Sequence, residues 1–239
     1  MKIIPELEQG TDEWLRWRER GIGASEVGTM LGDNPYETAE DLWATKCGLK
    51  PPKVTTAAML RGHRLEPAIR QVYETEISHS LRTPLCAEHD DLPWLRASLD
   101  GIDQDHVEIL EIKAASSLGV WRENSFGLVT YYYWQCQQQL LVTGAERADL
   151  FCWMPDKDPG PPLLFHILPD YDAQRRIVQQ SVAFMQALKT RTPPRVVASG
   201  FGTSNMQVPQ TQLPNRNWWE LLQQYLPAPG HNPEEIEGW

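Results

Sequence analysis

The first third of the chain has helical spacing. Thr11 to Arg18 mixes apolar and charged residues like a short amphipathic helix that starts near Thr11 or Asp12. Gly21 to Ser25 reads as a glycine-containing loop, and Ser25-Glu26-Val27 opens a second helix. Asn34-Pro35 marks a turn, and Thr38 to Lys46 forms a third helix, stopped at Gly48 and Pro51-Pro52. Thr56 to about Tyr73 is a long helical pattern with Pro67 as a point of interruption.

The period then changes to that of strands. Leu81–Ala87, Leu95–Leu99, His106–Ala114, Ala148–Trp153 and Leu163–Leu168 alternate or run apolar. The loop Pro155 to Pro162 joins the last two as a hairpin. Helices interleave at Val129–Val142 and Asp170–Lys189. Helices first, then strands with a crossover helix, predict an α/β fold with a mixed central β-sheet flanked by helices. One domain is expected over residues 1–190. Residues 191–239 form a C-terminal extension, rich in Pro, Asn and Gln, with one amphipathic piece at Trp218–Tyr225 for packing, subunit or partner contact.

Composition narrows the class. The 239 residues are 41% hydrophobic and 23% charged, as in an ordinary globular protein. No apolar run suits a membrane span, and the opening MKIIPELEQGTDEW has no signal-peptide core, so a cytoplasmic protein is expected. Cys47, Cys86, Cys136 and Cys152 lack paired spacing, which argues against zinc and iron–sulfur centres. The net charge of −10 excludes binding to nucleic acid through a broad basic surface, but not through a local basic channel.

The chemistry gathers around Ser98-Leu99-Asp100-Gly101 and Glu111-Ile112-Lys113. Strand alternation puts Glu111 and Lys113 on one face. If the two strands form a hairpin, Asp100 returns to the same end. Two carboxylates and the backbone carbonyl of Ile112 make an all-oxygen site suited to Mg²⁺ or Mn²⁺. Lys113 would position or deprotonate a bound water, or stabilise the transition state. The simpler reading is an ion pair on a sheet edge.

Other segments supply companions. Arg20 and Ser25, in a loop entering a helix, suit a phosphate pocket, though Ser25 also reads as a plain N-cap. Glu66 pairs with Arg70 at helical spacing, or faces the metal centre. His63 reads as a surface residue. Gln135, in Tyr132-Tyr133-Trp134-Gln135, suits a nucleophilic water or DNA backbone, while Gln138 and Gln139 read as solvated and the tyrosines mostly as core.

In order, RGIGAS at 20–25, Leu65-Glu66-Pro67, Ser98-Leu99-Asp100-Gly101, Glu111-Ile112-Lys113 and the Gln135 helix running to Thr143-Gly144 resemble the lambda exonuclease or YqaJ-type viral recombinase branch of the PD-(D/E)XK nucleases, over roughly residues 14 to 155. The resemblance implies the restriction-endonuclease-like core and Mg²⁺-dependent 5′→3′ digestion of one strand of duplex DNA, leaving 3′ overhangs. It implies Asp100, Glu111 and Lys113 as the catalytic core, with Glu66 and Gln135 in support. Arg20, Ser25 and Ser98 would receive the 5′-phosphate, and Met59 or Leu60 would wedge the melted end, with core packing as the other use of those two residues. It further implies a homo-oligomer, a trimeric ring around DNA, a single-strand annealing partner, no membrane, and a phage or prophage origin in a bacterial host cytoplasm. An endonuclease of the same superfamily and a catalytically silent DNA-binding protein are the alternatives. The sequence departs from the lambda enzyme after Lys113, where no arginine follows until Arg122.

Overall fold

The computed structural model of the chain describes residues 1–114, 125–153, 161–195, 208, 210–214 and 216–226. The predicted hairpin loop at 155–162 falls almost wholly outside these residues, as do Arg122 and most of the extension.

A single eight-stranded sheet organises the described residues. Its strands are β1 (Lys2–Ile3), β2 (Ile22–Gly23), β3 (Thr83–Glu88), β4 (Leu95–Ile102), β5 (Glu108–Ala114), β6 (Arg147–Trp153), β7 (Leu163–Ile167) and β8 (Gln210–Thr211). The order is β1-β3-β4-β5-β6-β7-β8, with β2 paired to β4 off this path. All neighbours are antiparallel except β5–β6 and β2–β4. The parallel β5–β6 step requires a crossover, which a helix supplies, as the interleaved pattern predicts. The fold is a mixed α/β one with a mostly antiparallel sheet.

The helices are α1 (Asp12–Glu19), α2 (Val27–Met30), α3 (Ala39–Lys46), α4 (Ala57–Tyr73), α5 (Ser125–Thr143), α6 (Tyr171–Thr190) and α7 (Trp218–Gln223). Their starts are encoded locally. Thr11 accepts from Trp14 N, Thr38 and Asp41 cap each other reciprocally, and Asp170 accepts from the N–H groups of Asp172 and Ala173. Helix α4 runs unbroken through Pro67 and ends in a π-turn at Glu74–Ser78. Pro67 is exposed, so its ring finds room on the outer face.

The core lies on both sides of β5 and β6. Ile109, Leu110, Leu150, Phe151, Trp134 and Trp153 are all shut off from solvent. The described part of the extension joins this core. Strand β8 pairs with β7, Trp218 is buried, and its ring meets Trp153 edge-on at 6.2 Å. Cys86, Cys136 and Cys152 are buried free thiols, and no helix among the described residues is long and apolar enough to cross a membrane.

Helix α2 packs tightly against the crossover helix. A Cβ built on Gly28 would lie 2.5 Å from the Tyr131 ring. Gly28→Ala is therefore expected to cost about 1–3 kcal/mol through overpacking. Urea unfolding checks this, with a lower midpoint at unchanged slope.

Candidate functional site

The site arises where two neighbouring strands part. β4 and β5 pair only at Gly101↔Leu110 and Ile102↔Ile109. Before Gly101, β4 takes β2 as its neighbour instead, through Ile22↔Leu95 and Gly23↔Arg96. Beyond Leu110, β5 stays with β6. A crevice opens between the strands, and the 3₁₀ turn that follows β2, Ala24–Glu26, packs against β4.

Continuing the β4–β5 register by one residue sets Asp100 opposite Glu111 on a shared face. Asp100 Oδ2 accepts the Ile112 N–H at 2.7 Å, in place of a ladder bond. In an extended strand the N–H and C=O of one residue point the same way, so the Ile112 carbonyl also faces Asp100. Burial, then the charges of Glu111 and Glu66, push the Asp100 carboxyl well above the usual range, against Lys113 and the Ile112 N–H.

Glu111 is only 2% exposed. Its Oε1 accepts from Gln135 Nε2 at 2.6 Å and pairs with Lys113 Nζ at 2.6 Å. Its Oε2 accepts from Gln139 Nε2 at 2.6 Å. The ion pair of the simpler reading exists, but inside the sheet, with β4 and β6 on either side. Burial alone would push the Lys113 ammonium down, yet Glu111, Tyr132 and Asp100 hold it above the ordinary lysine range. Lys113 is thus a charged donor at neutral pH. Its Nζ also sits 4.6 Å over the Tyr132 ring, whose neighbour Tyr131 lies 4.9 Å away, centroid to centroid. Tyr133 is core, whereas Tyr131 and Tyr132 are half-buried beside the lysine.

Helix α4 crosses the end of β5, where a Cβ on Gly62 would stand 4.0 Å from Ala114 Cβ. Glu66, one turn on, pairs with Arg70 at 3.0 Å, and its charge is felt at Asp100. The pair with Arg70 is the one helical spacing predicts. His63 is exposed, as expected. Met59 and Leu60, in the first turn of α4, are 47% and 52% exposed. Core packing is thus not their use.

This acidic crevice fits a hard divalent cation. Asp100, Glu111 and the Ile112 carbonyl are all-oxygen donors, and crowding of the carboxylates is what a cation would relieve. Among the described residues, no three His, Cys, Asp or Glu side chains gather to hold a metal by themselves.

The residues expected to form a phosphate pocket make a polar cluster with α1. Ser25 Oγ accepts from Arg18 Nη2 at 2.8 Å. Arg18 also stacks on Trp14 at 4.6 Å, and Trp14 Nε1 donates to Ser98 Oγ at 2.8 Å. Trp14 thereby joins Arg18, Ser25 and Ser98 in one cluster. Arg20 is exposed and caps the end of α1; Arg18 is the arginine that reaches Ser25. Burial opposes ionisation of Glu26, but Lys46, Arg18 and the Gly23 N–H hold its carboxyl below the usual range. The pocket thus keeps two cations and one carboxylate.

Helix α5 closes the floor of the crevice with amides. Gln138 Nε2 donates to Ile22 O at 2.7 Å and Arg96 O at 2.9 Å, at the point where β2 and β4 meet. Gln138 and Gln139 are fully buried, not solvated as the sequence suggests. Their placement was readable in one respect, since positions 135, 138 and 139 share a helix face. Arg18 offered no such signal, because a helix end and a turn separate it from Ser25.

The model of the YqaJ-like viral recombinase domain matches residues 13–146, more than half of the 239 residues. The chain is 28% identical over 141 residues to an uncharacterised Bacillus subtilis (strain 168) protein, YqaJ, covering 58% of this chain and 44% of that one. It thus spans less than half the length of that curated relative. Among solved structures, an alkaline exonuclease (LHK-Exo) from Laribacter hongkongensis superposes with a TM-score of 0.62 at 24% identity, covering 76% of this chain and 94% of that one. Its complex with dAMP superposes equally well, at 23% identity. A phage-related exonuclease from Haemophilus somnus 129PT gives a TM-score of 0.58 at 10% identity, covering 72% and 94%. The sheet and its flanking helices share the fold of these solved exonucleases. With its motifs in order and more than half of its length matched, the chain belongs to the YqaJ-like viral recombinase domain family.

Proposed function

We propose that the protein is a Mg²⁺- or Mn²⁺-dependent exonuclease. It digests one strand of linear duplex DNA in the 5′→3′ direction from a 5′-phosphorylated end and leaves 3′ overhangs for phage-type single-strand annealing. The observation that carries this reading is the meeting of two clusters at one strand: Asp100 on β4 faces Glu111 and Lys113 on β5 where the strands part, and the Arg18–Ser25–Ser98 cluster reaches β4 at Ser98, two residues before Asp100. A hydrolytic centre beside an anion pocket favours strand ends over internal sites. The superposition on an alkaline exonuclease that also binds dAMP, a nucleotide bearing a phosphate, supports it.

Asp100, Glu111 and the Ile112 carbonyl would hold the metal. When bound, the ion would lower the pKa of a water and polarise the scissile phosphate. Lys113, charged and anchored on Glu111, orients a water or the phosphate oxygen. Gln135 fixes Glu111, and Glu66 adds negative charge on the Asp100 side. The Arg18 guanidinium and the Ser25 and Ser98 hydroxyls take the 5′-phosphate, the guanidinium supplying a charged, directional donor. Arg18 thereby takes the role first given to Arg20. Exposed Met59 and Leu60 are the wedge at the melted end. A homo-oligomeric ring, a trimer in this reading, would hold the DNA by enclosure, which suits a chain of net charge −10. An annealing protein would receive the product, in the cytoplasm of a bacterial host.

Linear duplex with one 5′-phosphorylated end should lose nucleotides from that end with Mg²⁺ and not with EDTA. Asp100→Ala should lower the rate by about a thousandfold or more, given the several kcal/mol a metal supplies. Cutting of closed circles would point to an endonuclease instead, and binding without cleavage to a silent relative.

Arg18→Ala should reduce kcat/KM on 5′-phosphorylated ends by about 10–100-fold, the worth of a charged hydrogen bond, and erase discrimination against 5′-hydroxyl ends. Arg20→Ala should preserve that discrimination. The reverse pattern in steady-state kinetics would return the pocket to Arg20.

Met59→Ala should slow digestion of blunt ends and leave pre-frayed ends unaffected. Equal slowing on both would remove the wedge.

A further inference from the structure

Gln139 lies one helical turn beyond Gln135 on α5 and is fully buried. Its Nε2 donates to Glu111 Oε2 at 2.6 Å and to the main-chain oxygen of Ser98 at 3.4 Å. Gln135 and Lys113 occupy the other carboxylate oxygen. The terminal torsion of a free glutamate is broad. Donors on both oxygens, arriving from a helix and from the strand itself, remove that freedom.

The second amide is costly to the core. Gln139 Oε1 is buried with no hydrogen-bond partner among the described residues. Methionine or leucine would fill a similar volume without an orphaned acceptor. Reversing the amide gives no relief, since it would turn its oxygen onto a carboxylate. The N–H side is therefore the functional side of this residue. It is also a neutral donor. Unlike Lys113, it orients Glu111 without cancelling the negative charge that a cation needs.

We propose that Gln139 is a positioning residue for the metal-binding carboxylate: it fixes Glu111 in the orientation that receives a divalent cation and ties it to the β4 backbone at Ser98. This rests on the metal reading of the crevice given above. Gln135 and Gln139 then divide the task, each holding one oxygen, so losing Gln139 frees the carboxylate to rotate about the remaining contact.

The test measures Mn²⁺ binding to the full chain without DNA, following free Mn²⁺ by electron paramagnetic resonance, for the wild type, Gln139→Met and Gln139→Asn. The first variant keeps the length and removes the donor; the second keeps the donor and withdraws it by one carbon. Thermal unfolding is followed alongside. Both variants should bind Mn²⁺ about 10–100-fold more weakly, as for loss of an orienting partner. The Mn²⁺ concentration for half-maximal digestion should rise in step, with KM for DNA ends unchanged. A folded variant with wild-type Mn²⁺ affinity overturns the positioning role while leaving the metal site standing. A wild-type chain that binds no Mn²⁺ overturns both readings. Failure of both variants to fold assigns Gln139 to the core and also overturns the proposal.

Discussion

Everything distinctive in this molecule follows from the parting of β4 and β5. Two strands that separate inside a sheet leave main-chain groups without ladder partners, and buried groups of that kind are unfavourable unless satisfied. Each is met by a side chain that also has another task. Asp100 takes the Ile112 N–H. Gln138 holds the carbonyls of Ile22 and Arg96, and Gln139 that of Ser98. The sheet stays closed at Gly101 and opens on the Asp100 side, and the candidate site lies at the opening.

The electrostatics divide along the same line. Between β4 and β5, carboxylates crowd each other and Asp100 is pushed well above its ordinary range by burial and by Glu111 and Glu66. On the β2 side, Arg18 and Lys46 face the single carboxylate of Glu26. A phosphodiester chain bearing a terminal phosphate matches that polarity. Under the proposed function, its terminus would meet the cations and its scissile group the oxygen donors. Because the basic groups are few and local, the acidic exterior does not oppose this use.

The legible parts of the site were those set by short-range geometry. Glu111 and Lys113 share a face because strands alternate. Asp100 faces Glu111 because a tight antiparallel pair, with Gly101 at its closed end, returns the chain in register. Helix starts at Thr11, Thr38 and Asp170 were carried by caps within a few residues. The contact of Arg18 with Ser25 was not legible because RGIGAS draws the eye to the loop. The side chain that reaches Ser25 comes from the preceding helix, whose angle is set by Trp14 and Trp17 docking on Ser98 and Glu88. Gln138 and Gln139 looked solvated because glutamine usually is.

The sequence by itself determined the longer helices and the five strands β3–β7, the ordered motifs, the family and the acidic pair with its lysine, since periodicity, caps and register act over a few residues; the two-residue strands β1, β2 and β8 are too short to show a period. Only the tertiary structure decided which arginine reaches Ser25, that two further glutamines are buried, and that Met59 and Leu60 stand in solvent. Those outcomes depend on how α1, α4 and α5 dock across a gap between strands. Local spacing does not encode that docking. It is set by the burial of Trp134, Trp153 and Trp218 and by the unpaired backbone groups that the gap exposes.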